Sequence, residues 1–84
     1  MKNTFDRRIE EIRRGIYSFR EIGDIKTKKE MASILVKEYE DGIITDAALK
    51  SLINYYIDQI KIFKRISIDD LPSSIKDLVV KKMK

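Results

Sequence analysis

The side chains able to do chemistry in this sequence are carboxylates and cations. Three adjacent carboxylate pairs stand out: Glu10-Glu11, Glu40-Asp41 and Asp69-Asp70. Two carboxyls that share a proton can work as acid and base. Neighbours along a helix, however, diverge by about 100° and do not face one another. Asp69-Asp70 sits just before a helix start, where negative charge suits the dipole, whereas Glu40-Asp41 falls at a helix end, where it does not. The chain has no His and no Cys. The commonest general base and metal ligand is therefore missing, and so are the thiolate nucleophile and thiolate metal sites. No glycine-rich phosphate loop, serine elbow or calcium-loop spacing occurs. These absences predict a protein that is not an enzyme and takes neither metal nor cofactor.

The cations suggest a different chemistry. Arg7, Arg8, Arg13, Arg14 and Arg20 fall in the first twenty residues, and Lys28 and Lys29 follow. Arginine suits phosphate oxygens, so these seven are the candidate nucleic-acid-binding residues. Yet Asp6, Glu10, Glu11 and Glu21 interleave with them. Arg7–Glu10, Glu10–Arg13 and Glu10–Arg14 stand at helical i,i+3 or i,i+4 spacing, so a salt-bridged solvent face accounts for the pattern equally well. Net charge is +4 and uneven. Residues 1–30 hold nine basic and six acidic side chains, residues 31–60 two and five, and residues 61–84 seven and three. The middle is acidic and both ends are basic.

Helices must position these groups. A first helix is expected from about Thr4 to Ile22, capped by Asn3 or Thr4, because Phe5, Ile9, Ile12, Ile16 and Phe19 recur on one face. Gly15 inside it costs about 1 kcal/mol relative to Ala. It marks a close helix crossing, a slight kink or a tolerated surface position. Gly23 is the expected stop. Thr27 and Glu30 read as a capping box for a second helix from about Lys28 to Asp41, which Gly42 ends. A third is expected from Thr45 to Ile66, capped by Thr45 or Asp46 and antiparallel to the second across the short turn. Leu49, Leu52, Ile53, Tyr56, Ile60 and Phe63 form its main apolar stripe, and Ala48, Tyr55, Ile62 and Ile66 a second. Pro72 starts a shorter fourth helix running to Met83. No strand, repeat or low-complexity segment is visible.

A chain of 84 residues makes one domain, residues 1–84. The fold class is all-α: a compact bundle of three long helices plus a shorter C-terminal fourth. The charged fraction of 38% is high, and Gln and Asn are scarce, which matches the compositional habit of thermophiles. No leader and no membrane-spanning segment is visible, so the expected location is the cytoplasm.

The second stripe of the third helix is the candidate protein-binding surface. Tyr55, Ile62 and Ile66 either lie under helix four or form an exposed patch for a partner or a second copy. The segment from Tyr39 to Leu49 resembles the bend of short bacterial helical-hairpin interaction domains. As a whole, in its size, basic balance and helical character, the chain resembles the small accessory subunits of the B-family replicative DNA polymerase of thermophilic crenarchaea. It shares that character with small antitoxins and archaeal virus proteins. The polymerase resemblance implies a non-catalytic subunit that docks on a larger protein in DNA replication. The alternatives are a small DNA-binding protein working through the arginines of helix one and a self-assembling bundle.

Overall fold

The computed structural model describes residues 4–84, and all regular structure within them is helical. Four α-helices run Thr4–Arg13 (α1), Ile25–Glu40 (α2), Asp46–Ile57 (α3) and Ser73–Met83 (α4). A 3₁₀ turn at Phe19–Glu21 joins α1 to α2, and another at Ile68–Asp70 precedes α4. The helical path of α3 continues past Ile57 as a π turn, Asp58–Ile62. The radius of gyration, 12.2 Å, matches the roughly 12 Å expected of a folded chain of this length. No described helix is long and apolar enough to cross a membrane.

α3 is the hub. It contacts α1, α2, α4 and the Phe19–Glu21 turn. Its Ala48 and Leu52 are fully enclosed, and around them close Ile9 and Ile12 from α1, Met31 and Leu35 from α2, and Ile75 and Val79 from α4. Burying each large aliphatic side chain contributes about 1.5–3 kcal/mol. Helix four does fold onto α3 and α2. Its first turn is also tied to the end of α2, where the Ser74 hydroxyl donates to the Glu40 carboxylate at 2.7 Å.

Helix one is shorter than its apolar periodicity predicts. It ends at Arg13, not Ile22, and Gly15 is the reason. Gly15 takes φ +79°, its N–H bonds the Ile12 carbonyl and the Ile16 N–H reaches back to Glu11. This is a Schellman close, in which a left-handed residue satisfies the last carbonyls. Gly42 repeats it at the end of α2 with φ +74°, Gly42 N–H to Tyr39 and Ile43 N–H to Glu38. The break removes Ile16 from the contact face and leaves it 64% exposed, while Phe19 is carried into the core by its own 3₁₀ turn.

Helix two begins earlier than the Thr27–Glu30 pattern predicts. Asp24 is the N-cap, and its carboxylate accepts from both the backbone N–H (3.0 Å) and the hydroxyl (2.6 Å) of Thr27. These bonds hold the Asp24 carboxyl below its usual pKa. A carboxylate that can take both donors of Thr27 displaces Thr27 as the cap. Of the expected caps, Asn3 lies outside the described residues, and Thr4 is already within α1.

Thr45 caps α3, as its sequence suggests, and does more. Its hydroxyl accepts from the Ala48 N–H at 3.1 Å and donates to the Arg13 carbonyl at 2.7 Å. The start of α3 therefore satisfies one of the open carbonyls at the end of α1. The two backbones meet closely here, and a Cβ on Gly15 would stand 3.1 Å from the Cβ of Ala47. By contrast, a Cβ on Gly42 would meet nothing. Both Gly15→Ala and Gly42→Ala must force a side chain into the left-handed region, at about 1–2 kcal/mol. Gly15→Ala is expected to lose more than Gly42→Ala in urea unfolding, with the excess recovered in the Gly15→Ala/Ala47→Gly double variant. Equal losses, or no recovery, would show that the crossing does not depend on the missing Cβ.

Candidate functional site

The residues singled out from sequence do not gather on one surface. Of the three carboxylate pairs, each has at least one member engaged in the fold. Glu10 and Glu11 pair with Arg13 and Arg8 at 3.1 and 2.9 Å, and Asp41 faces Lys37 at 3.3 Å. Glu40 holds Ser74, Asp70 accepts from the Ser67 N–H at 2.8 Å, and Asp69 lies 3.5 Å from Lys76. Among the described residues no group of three metal-ligating side chains is assembled.

The arginines of the N-terminal segment divide. Arg13 sends its guanidinium across to α2, where Nε donates to Glu38 at 3.1 Å and a second nitrogen to the same carboxylate, while its third branch holds Glu10. Glu38 is largely buried, with 14% of its side chain exposed. The hydrogen bonds it donates to Glu38 keep the Arg13 guanidinium above its ordinary pKa. Arg20, carried on the first 3₁₀ turn, grips Asp58 with two bonds of 2.7 and 3.0 Å. Asp58 is buried and opens the π turn of helix three. Arg8 is bound to Glu11 and lies over the Tyr17 ring, 4.4 Å from its centroid. Arg8, Arg13 and Arg20 therefore tie elements together and carry little free charge for a phosphate. Arg7 and Arg14 are exposed and make no ion pair among the described residues.

The two lysines differ as well. Lys29 is exposed, but Lys28 is 8% exposed, its stem buried and its ammonium 5.5 Å from the centre of the Phe63 ring. A shallow cleft of about 380 Å³ runs between the 15–20 segment and α3, lined by Gly15, Tyr17, Ala47 and Asn54. Of its charged groups, Arg20 and Asp58 neutralise one another, while Lys50 is exposed and in no ion pair among the described residues.

The protein-binding candidates also separate. Tyr55 is a core residue: its ring lies 4.8 Å from Phe19 and 5.0 Å from Tyr56. Burial raises the pKa of both phenols, that of Tyr56 to about 12, so both stay neutral. The cover over Tyr55 includes Phe19, a contact that α1 could not make if it ran unbroken to Ile22. Ile66 is half-buried against the core. Ile62 alone is open, 62% exposed, and helix four leaves it uncovered.

Beside it lies a residue assigned by periodicity to the main stripe. Phe63 is 46% exposed. The π turn explains the difference. Its i→i+5 bonding, seen in Phe63 N–H to the Asp58 carbonyl at 3.0 Å, admits one extra residue per turn. One extra residue rotates all that follows by about 100°, so Ile62 and Phe63 leave the faces they occupy in an unbroken α-helix. The helix then closes on Lys64 at φ +53°. A side chain in this conformation costs about 1–2 kcal/mol. Around Phe63 stand cations: Arg65 has its guanidinium 4.6 Å from the ring centroid, Lys28 approaches it too, and Lys61 and Lys64 are exposed. None of these four is in an ion pair among the described residues.

The sequence does contain a signal for this end of helix three, the close run Lys61, Ile62, Phe63, Lys64, Arg65. It is hidden by the assumption of one uniform helix to Ile66. Compared with family models, with curated proteins and with solved structures, the chain matches none.

The role of Arg13 is open to test by a double-mutant cycle. Arg13→Ala leaves Glu38 without its partner and is expected to lower stability by about 1–2 kcal/mol. In the Glu38→Ala background the same change should do much less, giving a coupling of about 1 kcal/mol in thermal or urea unfolding. Coupling below about 0.3 kcal/mol would return Arg13 to the class of surface ion pairs.

Proposed function

We propose that this chain is a non-catalytic interaction subunit that docks on a larger protein, within a DNA-handling assembly of the replicative-polymerase kind. The observation that carries the docking role is the end of helix three. Two large apolar side chains, Ile62 and Phe63, stand in solvent beyond a π turn and a left-handed lysine. A sequence selected only to fold would bury them; unfavourable backbone that holds apolar groups outward is a mark of use. The DNA-handling context rests on the basic balance of +4 and on the general likeness to polymerase accessory subunits.

Direct DNA binding is the second reading, and one observation favours it: Arg7, Arg14 and Lys29 are exposed and unpaired among the described residues. Three scattered cations would give a weak contact, steeply dependent on salt. A self-assembling bundle is the third.

One purification separates the three. Tagged chain recovered from its source organism after nuclease treatment should bring down a larger protein in near-equal amount. Purified chain should sediment as a monomer and show no duplex binding at low salt. Partner loss on nuclease treatment, together with duplex binding whose affinity falls steeply with salt, would transfer the function to DNA. Concentration-dependent oligomers would transfer it to self-assembly.

A further inference from the structure

We infer that the end of helix three recognises an acidic segment of a partner protein that carries a large apolar side chain between its carboxylates. The inference rests on the docking role proposed above and specifies the chemistry of the contact.

Charge complementarity identifies the occupant. Lys61, Lys64 and Arg65 are the exposed cations at this end, with Lys28 buried behind the Phe63 ring, and no carboxylate neutralises them among the described residues. The contrast with Arg8, Arg13 and Arg20 is direct, since each of those is matched by Glu11, Glu38 or Asp58. The one carboxylate in the π turn, Asp58, is already held by Arg20 at 2.7 Å. Positive charge left uncompensated beside two adjacent exposed apolar side chains favours a negatively charged partner.

The apolar centre of the site decides between classes of anion. Nucleic acid would stack a base on the Phe63 ring, which needs an open aromatic face. Arg65 already lies over that ring at 4.6 Å, and the Lys28 ammonium is 5.5 Å from its centroid. The side chain next to it is Ile62, which has no aromatic plane to offer. What remains accessible is the Ile62 side chain and part of the Phe63 ring, with Arg65 over the ring and exposed Lys61 and Lys64 on either side of the pair in the chain. An apolar side chain laid against Ile62 and Phe63 removes that surface from water, and flanking carboxylates reach the cations around it. The cation pinned over the ring is pre-oriented, because Arg65 also donates to the Gln59 side chain at 3.4 Å and its backbone N–H to the Gln59 carbonyl at 2.9 Å.

The left-handed Lys64 fits the same purpose. Glycine would take φ +53° without strain, so a lysine at this position trades stability for a charge at the rim of the apolar pair.

Display selection of random twelve-residue peptides on the intact chain tests the inference, with the Ile62→Ser/Phe63→Asp variant as counter-target. Both altered side chains are exposed, so thermal melting should confirm that the variant folds. The expected winners carry Asp or Glu on both sides of a Leu, Ile, Phe or Met. A synthesised winner should bind at least about tenfold more weakly to the variant, and its binding to wild type should weaken as salt rises. Lys64→Gly should weaken it severalfold while leaving the melting temperature equal or higher. Enrichment of neutral or basic peptides, no enrichment over the counter-target, or tighter binding of a dT12 oligonucleotide than of any peptide would overturn the inference. The docking role fails separately. A partner recovered equally by wild type and by the Ile62→Ser/Phe63→Asp variant keeps the interaction subunit but removes this site.

Discussion

The rest of the bundle depends on one close approach, that of the end of α1 to the start of α3. The Arg13 carbonyl, left open by the end of its helix, is taken by the hydroxyl of Thr45, which also caps α3. Gly15 turns the chain away in a conformation that suits glycine, close against Ala47, whose Cβ would lie 3.1 Å from a Cβ added at Gly15. Because α1 stops there, the chain can lead Phe19 onto Tyr55 and Arg20 onto Asp58. The same Arg13 that offers its carbonyl to α3 sends its side chain to Glu38 of α2. Three helices are therefore fixed by the groups around one helix terminus, and α4 closes the remaining side of α3 through Ile75 and Val79.

This arrangement sorts the charges by use. Guanidinium groups with fixed partners act as ties, and partly buried ties of this kind rely on good geometry to offset desolvation. The bidentate Arg20–Asp58 pair has that geometry. Just beyond Asp58, the exposed Lys61, Lys64 and Arg65 stand next to Phe63 in the chain without an ion pair among the described residues. The division bears on function because a ligand can recruit only charge that the fold leaves available. Helix one, richest in arginine by sequence, keeps little beyond Arg7 and Arg14. The end of helix three, less conspicuous by count, keeps Lys61, Lys64 and Arg65 exposed and out of ion pairs among the described residues.

Much of the architecture is legible in the sequence. The all-helical class, the α2–α3 turn at Gly42, the cap at Thr45, the fourth helix after Pro72 and the central place of helix three all follow from periodicity and capping chemistry. The misreadings have local physical causes. A five-residue apolar face carried the expected first helix straight through Gly15, since periodicity records where a helix would be amphipathic and not whether the backbone continues. Asp24 outcompetes Thr27 as a cap because its carboxylate takes both donors of Thr27. At the candidate site, Tyr55, which the sequence left open between an internal place and an exposed patch, is core, and Phe63, expected on the main apolar stripe, is exposed. The π turn accounts for the displacement of Phe63, and no residue type in Asp58–Ile62 announces an i→i+5 register. Long-range partners such as Asp58 for Arg20 are likewise invisible until the loop geometry brings them together.

Helix three thus has a closed centre and an open end, and native-state hydrogen exchange along it is the most direct measurement of that division. The amides from Leu52 to Tyr56, in the enclosed core, should exchange only through global unfolding. Those beyond Gln59, held by π bonds and closed by a strained Lys64, should exchange through local opening and many times faster. Equal protection from Leu52 through Arg65 would contradict the division and remove the physical basis for a docking surface at this end.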